Sequence, residues 1–255
     1  MIEVKHLYKS FEDKDVLLDI NAVFENGKTN LIIGQSGSGK TVLMKNLVGL
    51  FKPTKGEILY DGRDFVAMNK REKAHVRREM GMLFQSAALF DSLTVRDNVM
   101  FPLDMFSDMT LRDRQRRAQE CLDRVNLSDA GRKYPAEISG GMQKRVAIAR
   151  AIALNPKYLF CDEPNSGLDP QTSLVIDELL HDITVEYNMT TIINTHDMNS
   201  VLGIGDNIIF ICRGRKEWEG DKTMVMKSTN KDLNELVFAS ELFKKVKDIQ
   251  NGTDI

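Results

Sequence analysis

Short apolar runs alternate with longer amphipathic segments along most of the chain. Apolar runs or strict alternation over a few residues predict strands, and these patterns occur at 2–7, 17–24, 29–33, 56–60, 80–84, 158–161, 191–194 and 207–212. Apolar residues at helical spacing predict helices that begin near Lys40 and that span 111–125, 141–154 and 171–187.

The order of these elements predicts an α/β fold with a mainly parallel sheet. The short strands before residue 33, with a turn signal at Asn26-Gly27, predict an N-terminal antiparallel β subdomain. Residues 86–156 contain long charged helices around Pro135, so we predict a helical lobe inserted into the α/β core. We assign residues 1–225 to one domain and 226–255 to a helical tail that docks on the chain's own core or, as the alternative, packs on a partner subunit. The apolar residues that suggest amphipathic helices in this tail are Leu233, Leu236, Val237, Leu242, Phe243 and Val246.

Composition narrows the class of protein. Apolar residues make up 42% and charged residues 28% of 255, and the net charge is -2, which argues against a dedicated nucleic-acid binder. The three cysteines form no Cys-x-x-Cys pair and no disulfide framework, which indicates a reducing compartment. The apolar runs are strand-sized and the first residues lack a secretory signal, so we expect a cytoplasmic chain that reaches membranes only through other subunits.

A glycine-rich loop follows the strand at 29–33 and precedes the helix near Lys40. It matches G-x-x-x-x-G-K-[ST], a pattern whose backbone N–H groups surround phosphates at a helix N-terminus. Lys40 places a charge on the β and γ phosphates, and the Thr41 hydroxyl is suited to Mg²⁺. The motif predicts ATP binding by Gly34, Gln35, Ser36, Gly37, Ser38, Gly39, Lys40 and Thr41.

Two acids end the strand at 158–161. Acids at the carboxyl end of a parallel strand reach the same edge of the sheet as the phosphate loop. Asp162 is suited to bind Mg²⁺ or its water shell, and Glu163 is suited to polarise the attacking water. An Asp-Glu pair alone does not identify a catalytic site. The pair predicts one here because the phosphate-binding loop is expected at the same edge of the sheet.

A second anion site is predicted where Ser139, Gly140, Gly141 and Met142 open a helix. One chain has no evident need for two such sites around one nucleotide. Two copies arranged head to tail use both, because each supplies its serine-glycine turn to the γ-phosphate bound by the other.

With these motifs the chain resembles the nucleotide-binding subunit of ABC transporters over about residues 2–225, which implies a P-loop NTPase fold. Residues 138–142 (ISGGM) match the signature sequence, Gln85 the Q-loop, Ser166-Gly167-Leu168-Asp169 the D-loop and His196 the switch histidine. The resemblance implies that Gln85 links Mg²⁺ and the attacking water to a membrane partner. It also implies that His196 holds the γ-phosphate, that Asp169 lies across the dimer seam and that Phe11 stacks on adenine.

Within this family the chain is most similar to the ATPases of Mla-type, Mce-associated phospholipid transporters. The similarity rests on 83–103, on 138–156, where Met142 precedes Lys144-Arg145-Val146, and on Thr195–Ser200. It implies an integral membrane permease, whose helix enters a groove formed by 85–109, an Mce-type lipid-binding protein, and a position on the inner face of the cell membrane. Asn165 departs from the usual threonine, 203–206 is rich in glycine, and the tail from Glu217 matches poorly.

Other functions remain open from sequence. An amino-acid or lipoprotein-release ABC system uses the same chemistry on different cargo. A soluble ABC ATPase of iron–sulfur assembly is a further alternative, although its signature region usually differs from Met142-Gln143-Lys144-Arg145. A non-hydrolysing regulator is disfavoured by Glu163.

Overall fold

The computed structural model describes residues 1–12 and 14–238. The strands of this part are Ile2–Phe11 (β1), Lys14–Phe24 (β2), Lys28–Ile33 (β3), Lys55–Tyr60 (β4), Arg63–Asp64 (β5), Met80–Leu83 (β6), Tyr158–Asp162 (β7), Thr190–Asn194 (β8), Asn207–Cys212 (β9) and Arg215–Gly220 (β10). The α-helices are Lys40–Leu47 (α1), Lys70–Arg78 (α2), Val95–Phe106 (α3), Leu111–Arg124 (α4), Gly140–Ile152 (α5), Pro170–Glu186 (α6), Met198–Ile204 (α7), Lys222–Lys227 (α8) and Lys231–Val237 (α9).

The strands form two sheets, which confirms the predicted fold class. An antiparallel sheet has the order β2-β1-β4-β5, and a six-stranded sheet has the order β10-β9-β3-β8-β7-β6. In the larger sheet every pairing is parallel except that of β10 with β9. The N-terminal antiparallel subdomain and the mainly parallel sheet are therefore both present.

Strand β3 shows why the central sheet is buried on both faces. Leu31 and Ile33 pack in one apolar core, and Ile32 packs in the other. Side chains alternate along a strand, so a continuous apolar run supplies both cores. The parallel register brings Ile32 and Asp162 beside Asn194, so that β3, β7 and β8 end at one edge of the sheet.

The predicted helical lobe corresponds to α3, α4 and α5, which pack on one another. Each helix begins at a hydroxyl cap: Thr94, Thr110 and Ser139 accept hydrogen bonds from backbone N–H groups of the first turn. The charged face of α4 lies outward, and Ala118, Cys121 and Leu122 lie in the core.

Several elements were not predicted. Helix α2 has only one buried residue, Val76, and β10 alternates exposed and half-buried residues, so neither gives a strong apolar pattern. Strand β1 extends to Phe11, beyond the predicted end at residue 7. In the tail, α9 contains the predicted Leu233, Leu236 and Val237. The other predicted tail residues, Leu242, Phe243 and Val246, lie outside the described residues, and the division into 1–225 and 226–255 stays a prediction.

Candidate active site

The glycine-rich loop lies between β3 and α1 and lines a cleft of about 670 Å³. Three of its glycines have positive φ angles: 154° at Gly34, 79° at Gly37 and 113° at Gly39. A Cβ on Gly34 would lie 2.2 Å from the Ile211 carbonyl oxygen, so this position requires glycine. All eight loop residues except Ser38 line the cleft.

The Lys40 side chain lies inside the loop and links two of its carbonyl groups. Its ammonium group donates hydrogen bonds to the carbonyl oxygens of Gly34, at 2.7 Å, and Gln35, at 3.2 Å. Burial lowers the pKa of Lys40, while the nearby carboxylates of Glu163 and Asp162 oppose that change. The site thus holds a nearly buried cation beside a curled backbone, which suits a polyphosphate.

Glu163 and His196 lie together in the same cleft. Nδ1 of His196 is 2.7 Å from a carboxylate oxygen of Glu163. Glu163 has a φ of 50°, in the left-handed region that is uncommon for residues other than glycine. Its backbone N–H donates to the carbonyl of Asn194 at the end of β8, which fixes the turn that carries the carboxylate.

Gln85 also lines the cleft and reaches the loop after Glu163. Its amide nitrogen donates to the Ser166 hydroxyl at 3.0 Å. Asp162 directly precedes Glu163 and accepts a hydrogen bond from the Asn194 amide at 3.1 Å. The structure therefore brings Gln85, Glu163, His196, Lys40 and Thr41 to one cleft, as the sequence predicts.

The signature residues do not line this cleft in their own chain. Ser139 and Gly140 are exposed at the start of α5, where the Ser139 hydroxyl accepts from the N–H of Met142 at 3.3 Å. Gly141 packs against Thr172 of α6, and a Cβ there would lie 2.6 Å from the Thr172 methyl group. The second predicted anion site thus faces solvent.

Asp169 and Phe11 also lie outside the lining. The Asp169 carboxylate caps α6 by accepting from the N–H of Thr172 at 2.9 Å, and hydrogen bonds with Thr172 lower its pKa. The Phe11 ring packs edge-on against Phe51, with 5.2 Å between centroids, and Lys9 lies over it. The roles of Phe11 and Asp169 at adenine and at a dimer seam stay predictions.

Sequence reasoning missed two cations that hold the backbone after Gln85. The buried Lys144 ammonium donates to the carbonyl of Gln85, and the Arg150 guanidinium donates to the carbonyls of Ala87 and Ala88, both at 2.7 Å. Both cations lie on α5, the helix that the signature opens. Burial lowers the pKa of Lys144 and of Arg150. No local motif shows these contacts, because they join segments about sixty residues apart.

Three apolar residues of the lining were also missed. Val16 of β2, Val42 of α1 and Leu236 of α9 line the cleft beside the glycine-rich loop. Leu236 was assigned to a tail helix, and only the fold places it at this site.

The donor set fits ATP and Mg²⁺. The Ser38 hydroxyl is buried at the loop and has no hydrogen-bond partner among the described residues, which is unusual for a group that needs one. Thr41, Gln85 and Asp162 supply hydroxyl, amide and carboxylate oxygens, the ligands that Mg²⁺ prefers. These residues would hold the metal, whose charge would offset that of the phosphates.

The chain is similar to known ATP-binding proteins of transporters. The ABC transporter family model matches residues 17–166. A probable ribonucleotide transport ATP-binding protein of Mycobacterium leprae (strain TN) is 37% identical over 227 residues, which are 89% of this chain and 65% of that protein. The methionine import ATP-binding protein MetN 2 of Enterococcus faecalis (strain ATCC 700802 / V583) is 35% identical over 98% of this chain and 73% of its own length. The chain thus spans slightly less than two thirds of the mycobacterial relative.

Solved structures show the same fold. A dimeric post-hydrolysis ATP-binding cassette, MJ0796 with ADP and Pi, is 33% identical, has a TM-score of 0.78, and is matched over 87% of this chain and 99% of its own. The cbiO1 protein of Clostridium perfringens, part of a cbiONQ transporter complex, is 28% identical with a TM-score of 0.84 over 98% of each chain. The family model covers more than half of the chain. The chain belongs to the ABC transporter family and contains its ATP-binding domain.

Proposed function

We propose that this chain is the ATP-hydrolysing subunit of an ABC transporter. The observation that carries the proposal is the contact between Glu163 and His196 in the cleft that the glycine-rich loop lines. A carboxylate and an imidazole beside a phosphate site can orient water for attack and hold the terminal phosphate.

Each residue has a distinct part in this proposal. The loop amides and Lys40 bind the phosphates, Glu163 accepts a proton from the attacking water, and His196 contacts the γ-phosphate. Gln85 donates to Ser166 in the loop that follows Glu163, so a displacement of Gln85 changes the surroundings of the base.

We further infer that the working unit is a head-to-tail dimer. The signature turn at Ser139 is exposed and lies outside its own cleft, so a second copy is needed to bring it to a nucleotide. The similar cassette MJ0796 was solved as a dimer. In this arrangement Ser139, Gly140, Gly141 and Met142 of one copy complete the site of the other.

The helical lobe is the proposed contact with an integral membrane permease. Exposed apolar side chains follow Gln85 along the segment predicted to form the groove: Phe90, Phe101, Met105, Phe106 and Met109. Phe90 and Phe101 contact each other, with ring centroids 4.6 Å apart. No helix within 1–12 and 14–238 is long and apolar enough to cross a bilayer. We propose that the chain is bound from the cytoplasm to the inner face of the membrane by this permease.

Two cargo classes are proposed. The motifs around Met142 and His196 favour phospholipid, with an Mce-type protein as a further partner. Relatives named for methionine import favour an amino acid, because they are 35–42% identical to this chain. The motif argument concerns short diagnostic segments, whereas the identities cover the shared ATPase core.

Purification of the intact membrane complex separates these classes. The full chain, expressed with its neighbouring subunits and extracted in mild detergent, is analysed by native mass spectrometry. Recovery of a permease, an Mce-type protein and bound phospholipid is expected. Recovery with an amino-acid-binding protein and no bound lipid would contradict the lipid proposal and leave the ATPase proposal intact.

A further inference from the structure

Behind the cleft, a buried polar cluster joins the segments that carry Glu163 and His196. The cluster consists of Asn165, Asp177 and Ser200, and all three side chains are at least nine-tenths buried. Asn165 lies two residues after Glu163, Asp177 lies on α6, and Ser200 lies on α7, four residues after His196.

Hydrogen bonds hold this cluster in one arrangement. The Asn165 amide nitrogen donates to the Asp177 carboxylate at 2.8 Å and to the Ser200 hydroxyl at 3.1 Å. Ser200 also hydrogen-bonds to Asp177. Because both Asn165 contacts come from its amide nitrogen, the carboxylate fixes the orientation of the side chain.

The backbone around Asn165 transmits this arrangement to the cleft. The N–H of Ser166 donates to the Glu163 carbonyl, and the N–H of Leu168 donates to the Asn165 carbonyl, so 163–168 forms consecutive tight turns. Ser166 then accepts from Gln85. Asn165 therefore lies at the centre of the segment that places the base and contacts Gln85.

The cluster has features that disfavour folding. Among the described residues, no cation lies beside the buried Asp177 carboxylate, and the buried Oδ1 of Asn165 has no hydrogen-bond partner. Buried groups of this kind destabilise a fold relative to apolar side chains of similar volume. A purely structural role is therefore a poor account of why these side chains occupy the interior next to the cleft.

We propose that Asn165 and Asp177 are positioning residues that hold the Glu163 turn and the segment from His196 to α7 in one geometry for hydrolysis. This inference rests on the proposed ATPase function. It extends that function by assigning a role to side chains that do not line the phosphate loop.

The test compares the purified full chain with Asn165→Leu, Asp177→Leu, Asp177→Asn and Thr184→Val, using ATP and Mg²⁺. Leucine keeps the volume and removes the polar atoms. Thr184 is the matched control, because it also lies buried on α6, where its hydroxyl is 2.6 Å from that of Thr191.

Both leucine variants are expected to lower kcat at least about tenfold and to change KM and the Kd for ATP less than about threefold, because the base is displaced while the phosphate loop is intact. The melting temperature of Asp177→Leu should equal or exceed that of the unmodified chain, because the buried charge is removed. That of Asn165→Leu should be lower, because the buried Asp177 carboxylate loses the Asn165 donor. Asp177→Asn keeps an oxygen acceptor for Asn165. Its kcat should therefore be at least about threefold higher than that of Asp177→Leu. Thr184→Val should lower the melting temperature without a comparable loss of kcat.

Folded leucine variants with unchanged kcat would overturn the inference. If a leucine variant does not fold, Ser200→Ala decides the question, since it deletes one hydroxyl only and should lower kcat about threefold or more. Glu163→Gln distinguishes a failure of the ATPase proposal from a failure of this inference. If the unmodified chain hydrolyses no ATP, the ATPase proposal is wrong. If Glu163→Gln loses all hydrolysis while the leucine variants stay active, only this inference is wrong.

Discussion

The Glu163 carboxylate lies 2.7 Å from Nδ1 of His196, and the two residues come from the ends of neighbouring parallel strands. The pair faces a cleft that Lys40 and the glycine-rich loop also line. Its position explains why the proposed chemistry depends on the sheet, because the register of β7 with β8 sets the distance between the two residues.

Removing the charge of Glu163 should stop turnover without preventing binding. Glu163→Gln keeps the side-chain shape but cannot accept the proton of water, so kcat should fall by about a hundredfold or more. ATP should then accumulate in a stable dimer, which size-exclusion chromatography with ATP detects. Glu178→Gln, an exposed change on α6, is the control. Hydrolysis near the unmodified rate in Glu163→Gln would remove Glu163 from its assigned role.

A bulky cation at the signature should separate binding from hydrolysis. Ser139→Arg alters an exposed residue outside its own cleft, so ATP affinity should change little while hydrolysis is lost. Thr110→Arg is a matched control, since Thr110 also caps a helix of the same lobe. Equal losses of activity in both variants would indicate damage to the lobe rather than to a shared site.

Two glycines of the phosphate loop should differ in what an added methyl group does. Gly37 has a φ of 79° with open space around it, so Gly37→Ala should cost about 1 kcal/mol of unfolding free energy. At Gly34 the new Cβ would also meet the Ile211 carbonyl oxygen at 2.2 Å and the Ser38 hydroxyl at 2.7 Å, so Gly34→Ala should cost roughly 3 kcal/mol. Urea denaturation measures both, and equal costs would show that the loop relaxes freely.

Asp177 should make stability depend on pH. Burial is the main cause that raises its pKa to about 6 from 3.8. Because the folded pKa lies above the unfolded one, the carboxylate destabilises the fold above pH 6, and this cost fades as pH falls toward 3.8. This difference between the folded and unfolded pKa corresponds to roughly 3 kcal/mol of unfolding free energy. In Asp177→Asn the loss of the hydrogen bond with Ser200 offsets about 1 kcal/mol of that gain. Asp177→Asn should therefore be more stable at pH 7.5, with a gain that shrinks near pH 4. A gain independent of pH would contradict the assignment.

Lys144 should matter for the segment after Gln85. Its ammonium holds the Gln85 carbonyl from α5, so Lys144→Met should lower kcat several-fold, by about threefold to tenfold, while ATP still binds. Lys157→Met, which removes a surface lysine that contacts Glu79 at 3.4 Å, is the control. Steady-state hydrolysis and nucleotide binding check both variants, and unchanged kcat in Lys144→Met would show that this contact has no catalytic consequence.

Sequence alone predicted the parallel sheet, the lobe and most cleft residues because their signals are local. The glycine-rich loop and the two acids at the end of β7 each form a pattern within a few residues, and the rule that parallel strands end at one edge places them together. Helix α2 and strand β10 were not predicted, because they bury little apolar surface.

Contacts between distant segments of the chain were not predicted for a different reason. The bond from Lys144 to Gln85 and the cluster of Asn165 with Asp177 depend on side chains that meet only after folding. In the sequence Asn165 was notable only because it replaces the usual threonine. In the structure its side chain hydrogen-bonds to Asp177 and Ser200.

A mixing experiment tests the composite site most directly. Ser139→Arg and Lys40→Ala chains are purified separately, combined, and assayed for ATP hydrolysis with Mg²⁺. Each variant alone should be inactive, but a mixed dimer pairs the intact phosphate loop of the first with the intact signature of the second. The mixture should regain up to about a quarter of the unmodified rate, if half of the dimers are mixed and each has one complete site. A mixture no more active than the sum of its parts, or full activity of Ser139→Arg alone, would contradict the account.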